Sequence, residues 1–185
     1  MHYKVLRFNN ILTFGGMHHF SKGMCIFTEN KGFMQLSPRK LNLFLAWRLP
    51  AAFWCGVRVK SISESTCIAS VTHRWINQNP FQSMYFAVQA MAAELTTGAL
   101  VMAEIQRKKM PISMLVLNNK ATYTKKATGK ITFTCQQGTA IATLIDEVVQ
   151  SGEGKTIWLQ SVGVDQQGEV VSVMDFEWTL KLKSK

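Results

Sequence analysis

Residues 77–105 read NQNPFQSMYFAVQAMAAELTTGALVMAEI. After a loop of Asn and Pro, the segment becomes a run of Ala, Met, Leu and Val. From Met84 to Ile105 its only charges are Glu94 and Glu104. The apolar residues form no stripe but surround the axis, and a helix apolar on every side is normally buried. The run therefore predicts a buried helix over Met84–Ile105. Glu104 falls near its end, where solvent is expected. Glu94 falls in its middle. An uncompensated buried carboxylate is costly, so Glu94 must be paired, protonated or turned toward a cavity.

Upstream, "LSPRKLNLFLAWRLPAAFWCGV" starts with Ser37 as a helix cap and Pro38 at the first helical position. Leu41, Phe44, Leu45 and Leu49 recur at helical spacing, and Pro50 ends or kinks the helix. The favoured reading is a helix on the domain edge. Trp47, Phe53 and Trp54 beside Arg39, Lys40, Arg48 and Arg58 leave a lipid contact as the alternative. "GVRVKSI" and "CIASVTHRW" read as strands joined by the polar turn "SEST". Downstream, "SMLVLNNKATY" places Leu115, Leu117, Ala121 and Tyr123 on one face, and "KITFTCQ" turns Ile131, Phe133 and Cys135 inward. "TAIATLIDEVVQSG" is a short amphipathic helix ended by Gly152, and "KTIWLQSVGV" is a strand. "VVSVMDFEWTLKLKSK" alternates most clearly, with Met174, Phe176, Trp178, Leu180 and Leu182 on one side. The order is helix, two strands, long buried helix, two strands, short helix, two strands. An α+β domain follows, with an antiparallel sheet wrapped around one side of the long helix and a further layer, expected to be a second subunit, on the other.

The chain has 185 residues, enough for one domain with a full core. Residues 1–33 lack sustained periodicity. They are read as an N-terminal extension, disordered or ahead of a true start at Met24 or Met34, with the domain over 34–185. The net charge of +10 favours acidic partners, including nucleotide-like phosphates. Nucleic acid is not expected, because the aromatics fall on apolar faces instead of interleaving with the basic residues. Cys25, Cys55, Cys67 and Cys135 lack metal or redox spacing, which points to reduced thiols in a cytoplasmic protein. Of His2, His18, His19 and His73, only the last lies in the domain, and no metal site is expected. His73 itself reads as a surface strand residue. Met84–Ile105 is long enough to span a bilayer, but Gln89, Glu94, Thr96 and Thr97 and its alanine content argue for a protein core. No transmembrane segment is expected.

The order of elements, with a long apolar helix against a curved antiparallel sheet, resembles the hotdog fold. "NQNPFQSMYFAVQAMAAELTTGALV" is similar to the Asn-to-acid segment of hotdog thioesterases of the phenylacetyl-CoA type, with Asn79 fifteen residues before Glu94. The stretch from about 36 to 183, with the leading helix "LSPRKLNLFLAWRLPAAFWCG" and the inserted short helix near 139–150, is identified as a member of the DUF4442 family. The resemblance implies thioester hydrolysis at sites built from two chains of a homodimer or homotetramer. The substrate would be an acyl-CoA or acyl carrier protein thioester, with coenzyme A as part of the substrate and no separate cofactor. Where those thioesterases carry His-Gly-Gly, this chain carries Tyr85-Phe86-Ala87.

Thioester hydrolysis needs a polarised carbonyl, an attacking oxygen and a departing thiolate. A helix N-terminus offers unpaired N–H groups for the first, and a carboxylate serves as base or nucleophile for the second. Glu94 is the candidate base or nucleophile, and Asn79 the candidate for orienting water or the carbonyl. The Phe86 N–H, with Tyr85 beside it, is the candidate substrate-binding group. The competing reading is a non-catalytic acyl-CoA or lipid-binding protein. There Phe86 blocks the site, Glu94 pairs with a cation, and Asn79 only caps its turn.

Overall fold

The computed structural model describes residues 36–183. The expectations for residues 1–33 lie outside the described residues. Helix α1 (Pro38–Arg48) begins as its sequence predicts, with the Ser37 hydroxyl accepting the Lys40 N–H at 3.4 Å. It stops at Leu49, and Pro50 opens the short helix α2 (Pro50–Trp54), since proline can start a helix but not continue the previous one. Then come β1 (Arg58–Ile62), β2 (Cys67–Thr72), a 3-10 turn at Trp75–Asn77 and the long helix α3 (Phe86–Lys108). They are followed by β3 (Ile112–Tyr123), β4 (Lys130–Cys135), α4 (Gly138–Ser151), β5 (Lys155–Val164) and β6 (Val170–Leu182). Gly152 ends α4 at φ 73°, a left-handed conformation open to glycine at no steric cost.

The strands form one antiparallel sheet in the order β1-β2-β4-β5-β6-β3. It curves around α3, which packs on β2, β4, β5 and β6. The alternation along β6 buries Met174, Phe176, Trp178 and Leu180, and that along β4 buries Ile131, Phe133 and Cys135. These side chains meet Ala92, Leu95, Ala99 and Leu100 of α3 in one core. By length and composition α3 could cross a membrane, but most of it is enclosed by protein.

Two local findings depart from the sequence reading. Glu104 is buried, not solvated: it is 8% exposed and receives a bidentate pair of hydrogen bonds from Arg107, both at 2.7 Å. Strand β3 shifts register against β6 between Val116 and Asn118. Before the shift Met114 and Val116 pack on the core while Leu115 and Leu117 stay exposed; from Leu117 to Tyr123 every residue is exposed.

The sheet has two unlike edges. At β1 the Asn42 side chain of α1 straddles the backbone of Val59, accepting its N–H at 2.9 Å and donating to its carbonyl at 3.0 Å. Asn42 thus stands in for a neighbouring strand. Strand β3 pairs with β6 on one side and with no described element on the other.

Candidate active site

Glu94 stands in the middle of α3, half-buried. Among the described residues its carboxylate has neither a hydrogen bond nor an ion pair; only its main-chain carbonyl is engaged, accepting the Thr97 hydroxyl at 2.9 Å. Burial pushes its pKa above the ordinary carboxylate value. The carboxylate lines a cleft of about 230 Å³ with Met91 and Leu95 of α3 and Arg48, Leu49, Pro50, Ala51 and Ala52 of the α1–α2 elbow. Gly98, one turn on, lets the Trp178 ring pack closely against this side of the helix. A Cβ there would lie 3.1 Å from the Trp178 ring and 3.4 Å from Glu94 Oε1. Trp178 is itself anchored, its Nε1–H donating to Thr97 Oγ1 at 3.0 Å.

The other candidates gather around the start of α3. Tyr85 is the N-cap, and its carbonyl accepts the N–H groups of Val88 and Gln89. Among the described residues the N–H groups of Phe86 and Ala87 have no acceptor, so the helix presents two free donors there. The Phe86 ring lies between two tyrosines, with centroids 4.8 Å from Tyr85 and 6.4 Å from Tyr123. These residues line a second cleft of about 530 Å³ with Asn79, Phe81, Gln89, Lys125 and Lys126.

Asn79 holds the loop that leads into α3. Its Oδ1 accepts the Phe81 N–H at 2.9 Å, and one Nδ2 hydrogen goes to Ser83 Oγ at 3.1 Å. The residue thus caps its turn, and one amide hydrogen is left without an acceptor among the described residues. Gln89 is buried, donating to the Met84 carbonyl and accepting the Ser172 hydroxyl.

Asn79, Tyr85 and Phe86 therefore share one cleft, and Glu94 opens into another. Glu94 lies eight residues into α3 from Phe86, about 12 Å along the axis. Within one chain the two halves do not meet. The sequence reading did not select Tyr123 or Arg48 for either cleft; each comes from an element remote in the chain. His73, expected on a strand surface, sits past the end of β2 with its Nε2 buried and without a partner among the described residues. Among the described residues no group of three His, Cys, Asp or Glu is placed to hold a metal ion.

Residues 40–180 match the family described as Domain of unknown function (DUF4442). No curated protein matches the sequence. Among solved structures, the chain resembles PA5026 of Pseudomonas aeruginosa, a protein of unknown function described as a probable thioesterase, at 23% identity and a TM-score of 0.69. That likeness covers 82% of this chain and 100% of the other. It also resembles the thioesterase HI1161 of Haemophilus influenzae, at 13% identity and a TM-score of 0.60, covering 80% and 92%. A mutant of the thioesterase PA1618 of Pseudomonas aeruginosa matches at 12% identity and a TM-score of 0.61, covering 81% and 97%. These likenesses establish the hotdog fold.

Proposed function

Because the chain belongs to the DUF4442 family, with the hotdog fold, we propose that it is a thioesterase acting on an acyl-CoA or acyl carrier protein thioester. The observation that carries this reading is Glu94, an unpaired carboxylate in mid-helix that opens into a cleft. A structural acid in that position would hold a cation, as Glu104 holds Arg107.

In this reading the catalytic site combines two chains of a homodimer, alone or within a tetramer. One chain supplies the start of α3 and its partner supplies Glu94. The thioester carbonyl accepts the Phe86 N–H at the positive end of the helix dipole. Glu94 takes a proton from water as the water oxygen bonds to the carbonyl carbon. The tetrahedral intermediate then collapses, the C–S bond breaks, and the thiolate leaves with the proton from Glu94. The free amide hydrogen of Asn79 orients the water or the carbonyl, and Tyr85 flanks the acyl group. The exposed edge of β3 and the half-buried stretch of α3 through Ala90, Met91 and Glu94 support the pairing of chains. The reaction asks for no metal or further cofactor, and the reading has it take place in the cytoplasm.

The test is hydrolysis of short, long and aromatic acyl-CoAs by wild type and Glu94→Gln. The rate should fall about 10²–10⁴-fold in the variant, the range for loss of a general base. In wild type it should rise with pH through the raised pKa of Glu94, because only the ionised carboxylate can accept the proton. The placing of Phe86 between Tyr85 and Tyr123 favours a second reading, a binding protein whose aromatic cluster closes the site. Acyl-CoA binding by wild type without turnover of any member of the panel would establish that reading instead.

A further inference from the structure

Helix α1 has two apolar faces. Leu41 and Leu45 point into the core, while Leu43 and Trp47, four apart on the opposite side, are 63% and 70% exposed. Arg39 and Lys40 lie one turn before Leu43 on that same outward stripe and are exposed. The stripe continues across the elbow through exposed Leu49 and Pro50 to Trp54, which is 71% exposed. Exposed Trp75 and Ile76 follow on the 3-10 turn, which Asn77 ties to the elbow by donating to the Cys55 carbonyl at 2.9 Å.

The charge around this surface has one sign. Residues 36–63 contain Arg39, Lys40, Arg48, Arg58 and Lys60 and no acidic residue. Arg74 adds to them; burial first, and then the charge of Arg74, lower the Arg58 pKa. Elsewhere among the described residues the basic residues are mixed, with Arg107, Lys108, Lys125 and Lys155 each holding a carboxylate and the others in no ion pair; around the elbow Arg39, Lys40, Arg48, Lys60 and Arg74 all form no ion pair among the described residues. Exposed Trp and Leu ringed by unpaired Lys and Arg are the composition of a helix that lies in a bilayer interface, with rings among the lipid headgroups and cations on anionic lipid. A second copy of the chain fits poorly, since a twofold contact through this surface would set bases against bases.

We propose that the α1–α2 elbow, with Leu43, Trp47 and Trp54 as its apolar contacts and Arg39, Lys40 and Arg48 as its cations, docks the protein on an anionic lipid surface. Docking does not rest on the thioesterase reading. It does bear on it, because Arg48, Leu49 and Pro50 also wall the Glu94 cleft. The cleft would then open at the membrane surface, where long acyl chains partition.

The experiment is cosedimentation of the full chain with vesicles of phosphatidylcholine alone and with phosphatidylglycerol added, at low and high salt. Binding is expected to the anionic vesicles only and to weaken with salt. Arg39→Ala/Lys40→Ala should weaken it about 30-fold, roughly fivefold per cation removed. Trp47→Ala/Trp54→Ala should weaken it at least about tenfold through lost apolar contact. All four positions are exposed, so the variants should fold as wild type does, which circular dichroism checks. Glu94→Gln should bind as wild type, which separates docking from catalysis. No binding to either vesicle, or equal binding by wild type and both double variants, would overturn the proposal. So would a smaller solution mass for the tryptophan variant without any vesicle binding, which would assign the patch to a second copy.

Discussion

Of the two acids on α3, Glu104 has a bidentate arginine and Glu94 has no partner among the described residues. That difference has a thermodynamic signature. Burial raises the Glu94 pKa above its ordinary value of 4.5, and the unfolded chain restores that value. Between the two values the native state holds the additional proton. The contribution of Glu94 to stability is therefore complete below pH 4.5 and declines as pH rises through the raised native pKa. Thermal melts of wild type and Glu94→Gln across about pH 4 to 8 isolate this term as a difference. The variant should match wild type at the acid end and exceed it at the neutral end. An ion-paired Glu94 would give the opposite slope. The glutamate was conspicuous in the sequence because nothing else in mid-helix carries charge. Its free state was not, because pairing depends on what other elements bring near. Glu104 shows the same limit: an arginine three residues on was readable, but burial of the pair was not.

At the scale of elements, the turn Trp75–Asn77 hinges on one side chain. Asn77 is buried, donates to the carbonyls of Cys55 and Thr72, both at 2.9 Å, and accepts the Arg74 N–H at 2.8 Å. It joins the end of α2 to the end of β2 just before the loop that presents α3. Asn77→Ala would leave three part-buried backbone groups without their partner and should cost about 2–4 kcal/mol, measured by denaturant unfolding with an unchanged m-value. The sequence presented Asn77 only as one turn residue among several in "INQNP". Elements with strict periodicity were more legible. The period of two in β6 and the amphipathic spacing of α4 mapped directly onto buried faces. In β3 the bulge at Val116 and Asn118 breaks that mapping, since a one-residue shift exchanges the faces of a strand. The cluster of Tyr85, Phe86 and Tyr123 was invisible for a related reason: α3 and β3 meet there by topology, and no local pattern encodes the meeting.

For the whole molecule, the open edge of β3, the exposed Leu115 and Leu117 and the separation of the two clefts agree with one arrangement. A second copy paired along β3 would cover the edge, and the proposed shared site requires it to bring one chain's Glu94 toward the other's helix start. If so, Leu115→Lys/Leu117→Lys should yield a species of about half the wild-type mass in sedimentation velocity, since like charges facing across a strand pair repel. It should also lose hydrolysis while keeping its far-UV circular dichroism. A variant that becomes monomeric yet stays active would place the whole site within one chain.

The Asn42 bracket on β1 sets how far such pairing can go. Sheets that leave both borders free can add copies without end, which is how fibres grow. Here one border is already occupied from within, because the amide of Asn42 has taken the N–H and carbonyl of Val59. A chain bracketed in this way at Val59 offers β3 as its one unguarded border, so edge-to-edge growth through it would terminate at a pair.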